Sequence, residues 1–206
     1  MIAVVDYGVN NVKSVLRAFA AGGHPATLIT DPAVVRKAER ILVPGVGHFK
    51  AGVHNLATTG LGDAVRDAAR AGTPVMGICL GLQLLFAASE EAPGTEGLAL
   101  LPGQIRLFTT SLPVPHVGWA RVDLTSAGRR HSVLGPLFCD EPQFFYHVHS
   151  YYPADLPEDA VLGTADYDGV FPTIVGRGNV MGAQFHPEKS QRAGIELLSA
   201  FARWQP

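Results

Sequence analysis

Cysteine is scarce in this chain of 206 residues: only Cys79 and Cys139 are present. Two cysteines in a chain this long do not build a disulfide framework, and a cytosolic setting is the simpler reading. An excess of either charge is also lacking. The formal net charge is −2 and no basic run exceeds Arg129-Arg130, which disfavours nucleic-acid binding through a broad basic surface. There is no long hydrophobic run. The longest mostly apolar stretch, Val75–Ala88, contains Gln83 and falls short of the about 20 residues that span a bilayer. The N-terminus, Met1-Ile-Ala-Val-Val-Asp6, has no basic segment and carries an early acid, so it does not read as a signal peptide. Neither a repeat nor a linker is visible. Residues 1–206 read as one domain, with neither membrane nor nucleic acid as a partner.

What is present is an ordinary globular balance, 47% apolar and 17% charged, with 23 glycines and 15 prolines that imply many tight turns. In the first half, short apolar runs alternate with helical patterns. Ile2–Val5, Ala26–Thr30, Ile41–Val43 and Pro74–Ile78 read as strands. Asn11–Ala21, Leu61–Ala71 and Cys79–Ala88 read as helices. This alternation predicts an α/β fold, a mostly parallel open sheet flanked by helices. In the second half Gln104–Phe108, Phe144–His147, Val161–Asp166, Thr173–Gly176 and Val180–Gln184 are strand-like, and some pair antiparallel. Ala193–Arg203 is a closing amphipathic helix.

The central chemical signal is Gly77-Ile78-Cys79-Leu80-Gly81, set between a strand and a helix. This is the nucleophile-elbow pattern with cysteine in place of serine. A strained strand-to-helix turn needs flanking residues nearly without side chains, and Gly77 and Gly81 supply that. A helix N-terminus beside the sulfur favours thiolate, the reactive form. The N–H of Leu80 points to where an oxyanion would form. A random cysteine is more often a buried, inert one, and Leu137-Phe138-Cys139 reads that way. Other glycine patterns fail: Gly72–Gly77 lacks the lysine of a phosphate loop, and Gly45-Val46-Gly47 lacks the third glycine of a dinucleotide fingerprint.

A thiol nucleophile needs a base, and the base an orienting group. His186-Pro187-Glu188 follows a strand whose end faces the same sheet edge as Cys79, where open α/β folds bind ligands. A plain surface turn is the competing reading of these three residues. His147 and His149 share one face of a strand, but they lack a third metal ligand, and Cys79 and Cys139 form no CxxC pair. No metal and no cofactor is expected. Pro44-Gly45-Val46-Gly47 follows a strand at the same edge. Its peptide units can rotate an N–H toward an anion, as the second half of an oxyanion hole; an ordinary tight turn is the alternative.

Together, Val43–Phe49, Gly77–Leu85 and Gln184–Glu188 resemble the class I, or triad, glutamine amidotransferases. Asp6–Gly8 with Asn11, Pro115–Trp119, Val148–Tyr152 and His186–Gln191 look like the glutaminase subunits of imidazole glycerol phosphate synthase, which act in histidine biosynthesis. The resemblance implies that Cys79 is the nucleophile, His186 the general base and acid, and Glu188 its orienter. It implies that Gly45, Val46, Gly47 and Leu80 form the oxyanion site. Gln83 and the Ser150-Tyr151 backbone would hold the amino-acid end of glutamine. The implied partner is a cyclase subunit, a (βα)8 barrel that receives ammonia in a heterodimer. The chain departs from the pattern at Asn10, where glycine is usual, and at Ala120, where asparagine is usual.

Three alternatives stay open on the sequence. One is the glutaminase subunit serving anthranilate, aminodeoxychorismate or pyridoxal phosphate synthesis. Another is a module that keeps the fold without the activity. The third is a cysteine hydrolase of a different substrate, such as a γ-glutamyl peptide.

Overall fold

A computed structural model describes residues 1–8, 11–138 and 143–206. The expectations for Cys139 and for the turn at Asn10 lie outside the described residues.

Four short strands open the chain: β1 (Ile2–Val5), β2 (Ala26–Ile29), β3 (Arg40–Val43) and β4 (Val75–Ile78). Between and after them lie α1 (Val12–Ala21), α2 (Pro32–Val35), α3 (Phe49–Thr58), α4 (Leu61–Arg70) and α5 (Leu80–Leu84). The second half contributes β5 (Gln104–Leu107), β6 (His116–Leu124), α6 (Ser126–Arg130), β7 (Gln143–His149), β8 (Tyr151–Ala154) and β9 (Val161–Asp166). It ends with β10 (Val170–Arg177), β11 (Val180–Ala183) and α7 (Gln191–Arg203). Nine strands form one sheet in the order β2-β1-β3-β4-β11-β10-β9-β6-β7, and β5 pairs with β8 in a small second sheet. The five strands from β2 to β11 are mutually parallel, while β11 onward to β7 pairs antiparallel. The expected mixture of a parallel sheet with antiparallel strands in the second half is what is found.

Inside the edge strand β2, the parallel strands β1, β3, β4 and β11 are buried on both faces, as the interior of such a sheet must be. Successive residues therefore feed opposite cores. Ile2, Val4, Leu42, Met76 and Ile78 join Phe19, Leu198 and Phe201 under α1 and α7. Ala3, Val5, Ile41, Val43 and Val75 join Phe49, Leu56, Leu61, Val65 and Leu82 under α3, α4 and α5. In α4 the buried residues Leu61, Ala64, Val65, Ala68 and Ala69 recur at helical spacing.

One expectation is corrected: the helix after Cys79 stops at Leu84 instead of continuing to Ala88. A later loop takes the carbonyls that continuation would need. Leu98 N–H donates to Leu84 O, Leu100 and Leu101 N–H to Leu85 O, and Gly97 N–H to Ala87 O. The helices α2, α3 and α6 and the strands β6 and β8 were not anticipated.

Candidate active site

The strands β3, β4 and β11 are neighbours, parallel, and end at one edge of the sheet. Each delivers one piece of the site just past its last residue: the Pro44–Gly47 turn, Cys79, and His186. The β4–β11 pairing continues one bond further, with Cys79 N–H donating to Ala183 O at 2.8 Å.

Cys79 holds φ 52° and ψ −113°, a conformation that L side chains rarely adopt. The surroundings enforce it. A Cβ on Gly81 would overlap the Val43 carbonyl, and one on Gly77 would lie 2.6–2.7 Å from the Gly81 and Leu82 backbone. Both glycines are therefore required by close approach of backbone to backbone, as the elbow demands. The field at the sulfur from the short α5 is less than a full helix provides, because few peptide dipoles add up over five residues.

Across the cleft, His186 Nδ1 lies 2.7 Å from Glu188 Oε1. Since a carboxylate only accepts, Nδ1 carries the proton. Nε2 is buried and makes no hydrogen bond, while Cys79 is near enough to act on the imidazole's pKa. Burial opposes the imidazolium, yet interactions with Cys79 and Glu188 outweigh it, and the His186 pKa is raised to about 10. Burial also opposes the Glu188 carboxylate, but His186 and Asn11 hold its pKa below the ordinary value. Asn11 Nδ2 donates to Glu188 Oε1 at 3.0 Å. Asn11 stands at the N-cap of α1 and makes no capping bond there; that amide is committed to Glu188 instead. Two bonds lash the His186 turn to β7: His186 N–H to Tyr146 O at 2.9 Å, and Tyr146 N–H to Ser190 Oγ at 3.0 Å.

A cleft of about 420 Å³ gathers Val46, Gly47, Cys79, Leu80, Gln83, Ser150, Tyr151 and His186. Of the residues singled out in the sequence, Gly45 and Glu188 do not line it. Glu188 sits behind His186. Gly45 is pressed against the elbow, where a Cβ would come within 2.6–2.9 Å of Tyr7 Oη, Gly81 N and Leu80 Cβ. Gln83 Nε2 donates to Tyr151 O at 3.4 Å and to Gln184 Oε1 at 3.2 Å.

Three residues of the site have no role in the sequence reading, although Tyr7 and Gln184 fall in segments that carry the resemblance. Tyr7 donates its hydroxyl to Pro44 O at 2.5 Å, and burial followed by the charge of Cys79 pushes its pKa upward. Gln184 reaches within 3.9 Å of Cys79 Sγ; a glutamine ending an otherwise apolar strand was the available signal. Glu91 lines the cleft and had no local signal, because loop folding alone brings it there. The histidines His147 and His149 face inward. His147 Nδ1 donates to Phe145 O and its Nε2 meets Thr173 Oγ1, while His149 Nδ1 donates to Tyr151 O.

A thiol on a strand-to-helix turn, facing a buried imidazole–carboxylate pair at the carboxyl edge of a parallel sheet, defines a cysteine-dependent hydrolase of the α/β class. The chain matches the family Glutamine amidotransferase class-I over residues 3–203. A relative from Symbiobacterium thermophilum, named imidazole glycerol phosphate synthase subunit HisH, is 45% identical, covering 98% of this chain and 93% of its own. The HisH subunit of Moorella thermoacetica is 43% identical, covering 97% and 93%. A crystal structure of a glutamine amidotransferase superposes with a TM-score of 0.76 at 18% identity, covering 97% of this chain and 99% of that one. The chain belongs to the class I glutamine amidotransferases and, among them, to the family of imidazole glycerol phosphate synthase HisH subunits.

Proposed function

We propose that this chain, acting as a single domain over residues 1–206, hydrolyses glutamine through Cys79, His186 and Glu188. Its ammonia passes to the cyclase subunit of an imidazole glycerol phosphate synthase. The observation that carries the reading is an elbow cysteine and His186 lining one cleft, with Glu188 hydrogen-bonded to the imidazole from behind. In the first half-reaction the Cys79 sulfur attacks the side-chain amide carbon and the C–N bond breaks. His186 Nε2 gives its proton to the departing nitrogen, leaving ammonia and a thioester. A raised His186 pKa suits this step, since the acid is charged when the thiolate attacks. Water then attacks the thioester, its proton returns to His186, the C–S bond breaks, and glutamate leaves. Glu188 keeps the imidazole in the tautomer that puts Nε2 toward the sulfur. The Leu80 N–H, at the first position of α5 and without an intrahelical acceptor, and the Val46–Gly47 peptide receive the oxyanion. Gln83 and the Ser150-Tyr151 backbone receive the amino-acid end, and Glu91, the carboxylate of the cleft, takes the α-ammonium.

The partner is a (βα)8 barrel in a heterodimer, and the outward face of β6–β7 is where it docks. Val117, Trp119 and Phe144 are 56%, 48% and 51% exposed there, a concentration of apolar surface that marks interaction sites. Lys189, 5.9 Å from the Tyr146 ring centroid, and Val148 join this face to the mouth of the cleft. Ammonia released at Cys79 then meets an acceptor before water protonates it. Among the described residues no helix is long and apolar enough to cross a membrane, and the assembly works in the cytoplasm.

The test is a glutaminase assay on Cys79→Ala in the complex with the cyclase. Glutamine-dependent synthesis is expected to drop by several orders of magnitude while ammonia-dependent synthesis persists. Near-normal glutamine hydrolysis by Cys79→Ala would sink the mechanism.

A further inference from the structure

We propose that Glu91 is a positioning residue for the oxyanion turn, in addition to meeting the substrate's ammonium, so that one carboxylate ties substrate recognition to transition-state stabilisation. The proposal rests on glutamine hydrolysis at Cys79. Its ground is a backbone hydrogen bond that spans 42 residues: Phe49 N–H donates to Glu91 Oε2 at 2.6 Å. Phe49 opens α3, two residues after Gly47. Its N–H is among those a helix leaves without an internal acceptor.

The turn is held at three points, and Glu91 supplies the third. Tyr7 holds Pro44 by its carbonyl at 2.5 Å. Gly45 is wedged against Leu80 and Gly81. Gly47 is not wedged in this way: a Cβ there would meet nothing within 4 Å. Gly47 is nonetheless at φ +116°, a conformation that needs glycine for its angle and not for space. The Val46–Gly47 peptide is thus the loose part of the turn, and the next fixed point downstream is the Phe49–Glu91 bond.

His48 does not share that task. Its Nδ1 accepts from Lys50 N–H at 3.3 Å and stands 3.9 Å from Glu91 Oε2, beyond hydrogen-bond distance. The carboxylate keeps one oxygen on Phe49 while the residue lines the cleft, which leaves Oε1 for a cation there. An ammonium on Oε1 and an amide on Oε2 hold the same rigid group from two sides. Filling the cleft with glutamine then fixes the downstream end of the turn that receives the oxyanion.

The test separates the two tasks by substitution and by substrate. Glu91→Gln keeps an acceptor for Phe49 N–H but loses the charge, whereas Glu91→Met loses both at similar size. With the cyclase bound, both variants are expected to raise KM for glutamine. Glu91→Met should in addition turn over at least about tenfold more slowly than Glu91→Gln, toward the roughly 10²–10³-fold loss of a missing oxyanion donor. The same kcat gap should persist with glutaramate, which lacks the α-amino group. Thermal unfolding of each variant reports that it is folded, and Glu91→Ala serves if the methionine variant is not. If kcat for the variants lacking an acceptor stays within about twofold of Glu91→Gln, Glu91 serves recognition only and the proposal falls. Absence of glutaminase activity in the unsubstituted complex would instead overturn the proposed function.

Discussion

At the scale of single residues, His186 and Glu188 differ in what their loss removes. On the proposed mechanism the base moves the proton, and the carboxylate fixes its tautomer and charge. Glu188→Gln is expected to lose less activity than His186→Ala, measured at saturating glutamine on folded protein; equal or reversed losses would assign the roles wrongly. The raised pKa of His186 gives a second prediction. After the opposing effect of burial, the interaction with Cys79 is the first of the supporting causes. In Cys79→Ala the His186 titration, followed by NMR, should move down from about 10. An unmoved titration would mean that Glu188 alone holds the proton. The sign of the stability effect follows. A histidine whose folded pKa lies above 6.5 stabilises the fold fully below that pH, and the contribution fades as pH rises through about 10. Glu188, held below 4.5, contributes above that value and loses its contribution as pH falls through its lowered folded pKa. These three residues were legible in the sequence because glycine spacing and a His-x-Glu step are local patterns. Glu91, Gln184 and Tyr7 were not, since their partners lie far along the chain.

At the scale of elements, two glycines of the site should respond differently to alanine. Gly81→Ala drives a methyl into the Val43 carbonyl, so the elbow cannot form, and the variant should be strongly destabilised in thermal melts. Gly47→Ala meets no atom but must hold φ +116°, at roughly 1–2 kcal/mol of strain. It should fold, melt slightly lower, and hydrolyse glutamine more slowly. If Gly81→Ala melts like the parent chain, the backbone contact between β3 and α5 is not the constraint it is taken to be. The buried strands of the first half were read within a residue or so because they are continuous apolar runs bounded by turns. Strand β6 escaped because its outward positions include Val117 and Trp119, which are exposed, so no apolar–polar alternation is left to see. Helix α3 escaped because only Phe49, Gly52 and Leu56 are buried along it, a thin stripe among glycine, histidine and asparagine. Helix α5 was read too long because the loop carbonyl partners at Leu98–Leu101 cannot be inferred locally.

At the scale of the whole molecule, Val148 and Lys189 connect the cleft to the exposed β6–β7 face, which on the proposed reading joins catalysis to assembly. The isolated chain is expected to be a poor glutaminase, activated by the cyclase and further by the nucleotide ligand of that subunit. A peptide plane between Gly45 and Gly47 that must turn one N–H toward the oxyanion is worth roughly 10²–10³ in rate. Partner binding therefore needs only a few kcal/mol of preference for the active orientation. Steady-state kinetics on the chain alone, with cyclase, and with cyclase and ligand check this; three equal turnovers would make Pro44–Gly47 a fixed turn. The sheet order carries one more consequence, for the ribosome. Strand β11 is the last strand made, yet it sits in the interior of the sheet, between β4 and β10. Until it emerges, the growing polypeptide exposes a strand edge at β4 that ends in Cys79, and an unpaired edge invites pairing with other chains. His186 arrives with the same closing segment. On the proposed mechanism, a nascent chain therefore lacks the base of its nucleophile until the segment that fills the gap in the sheet has been made.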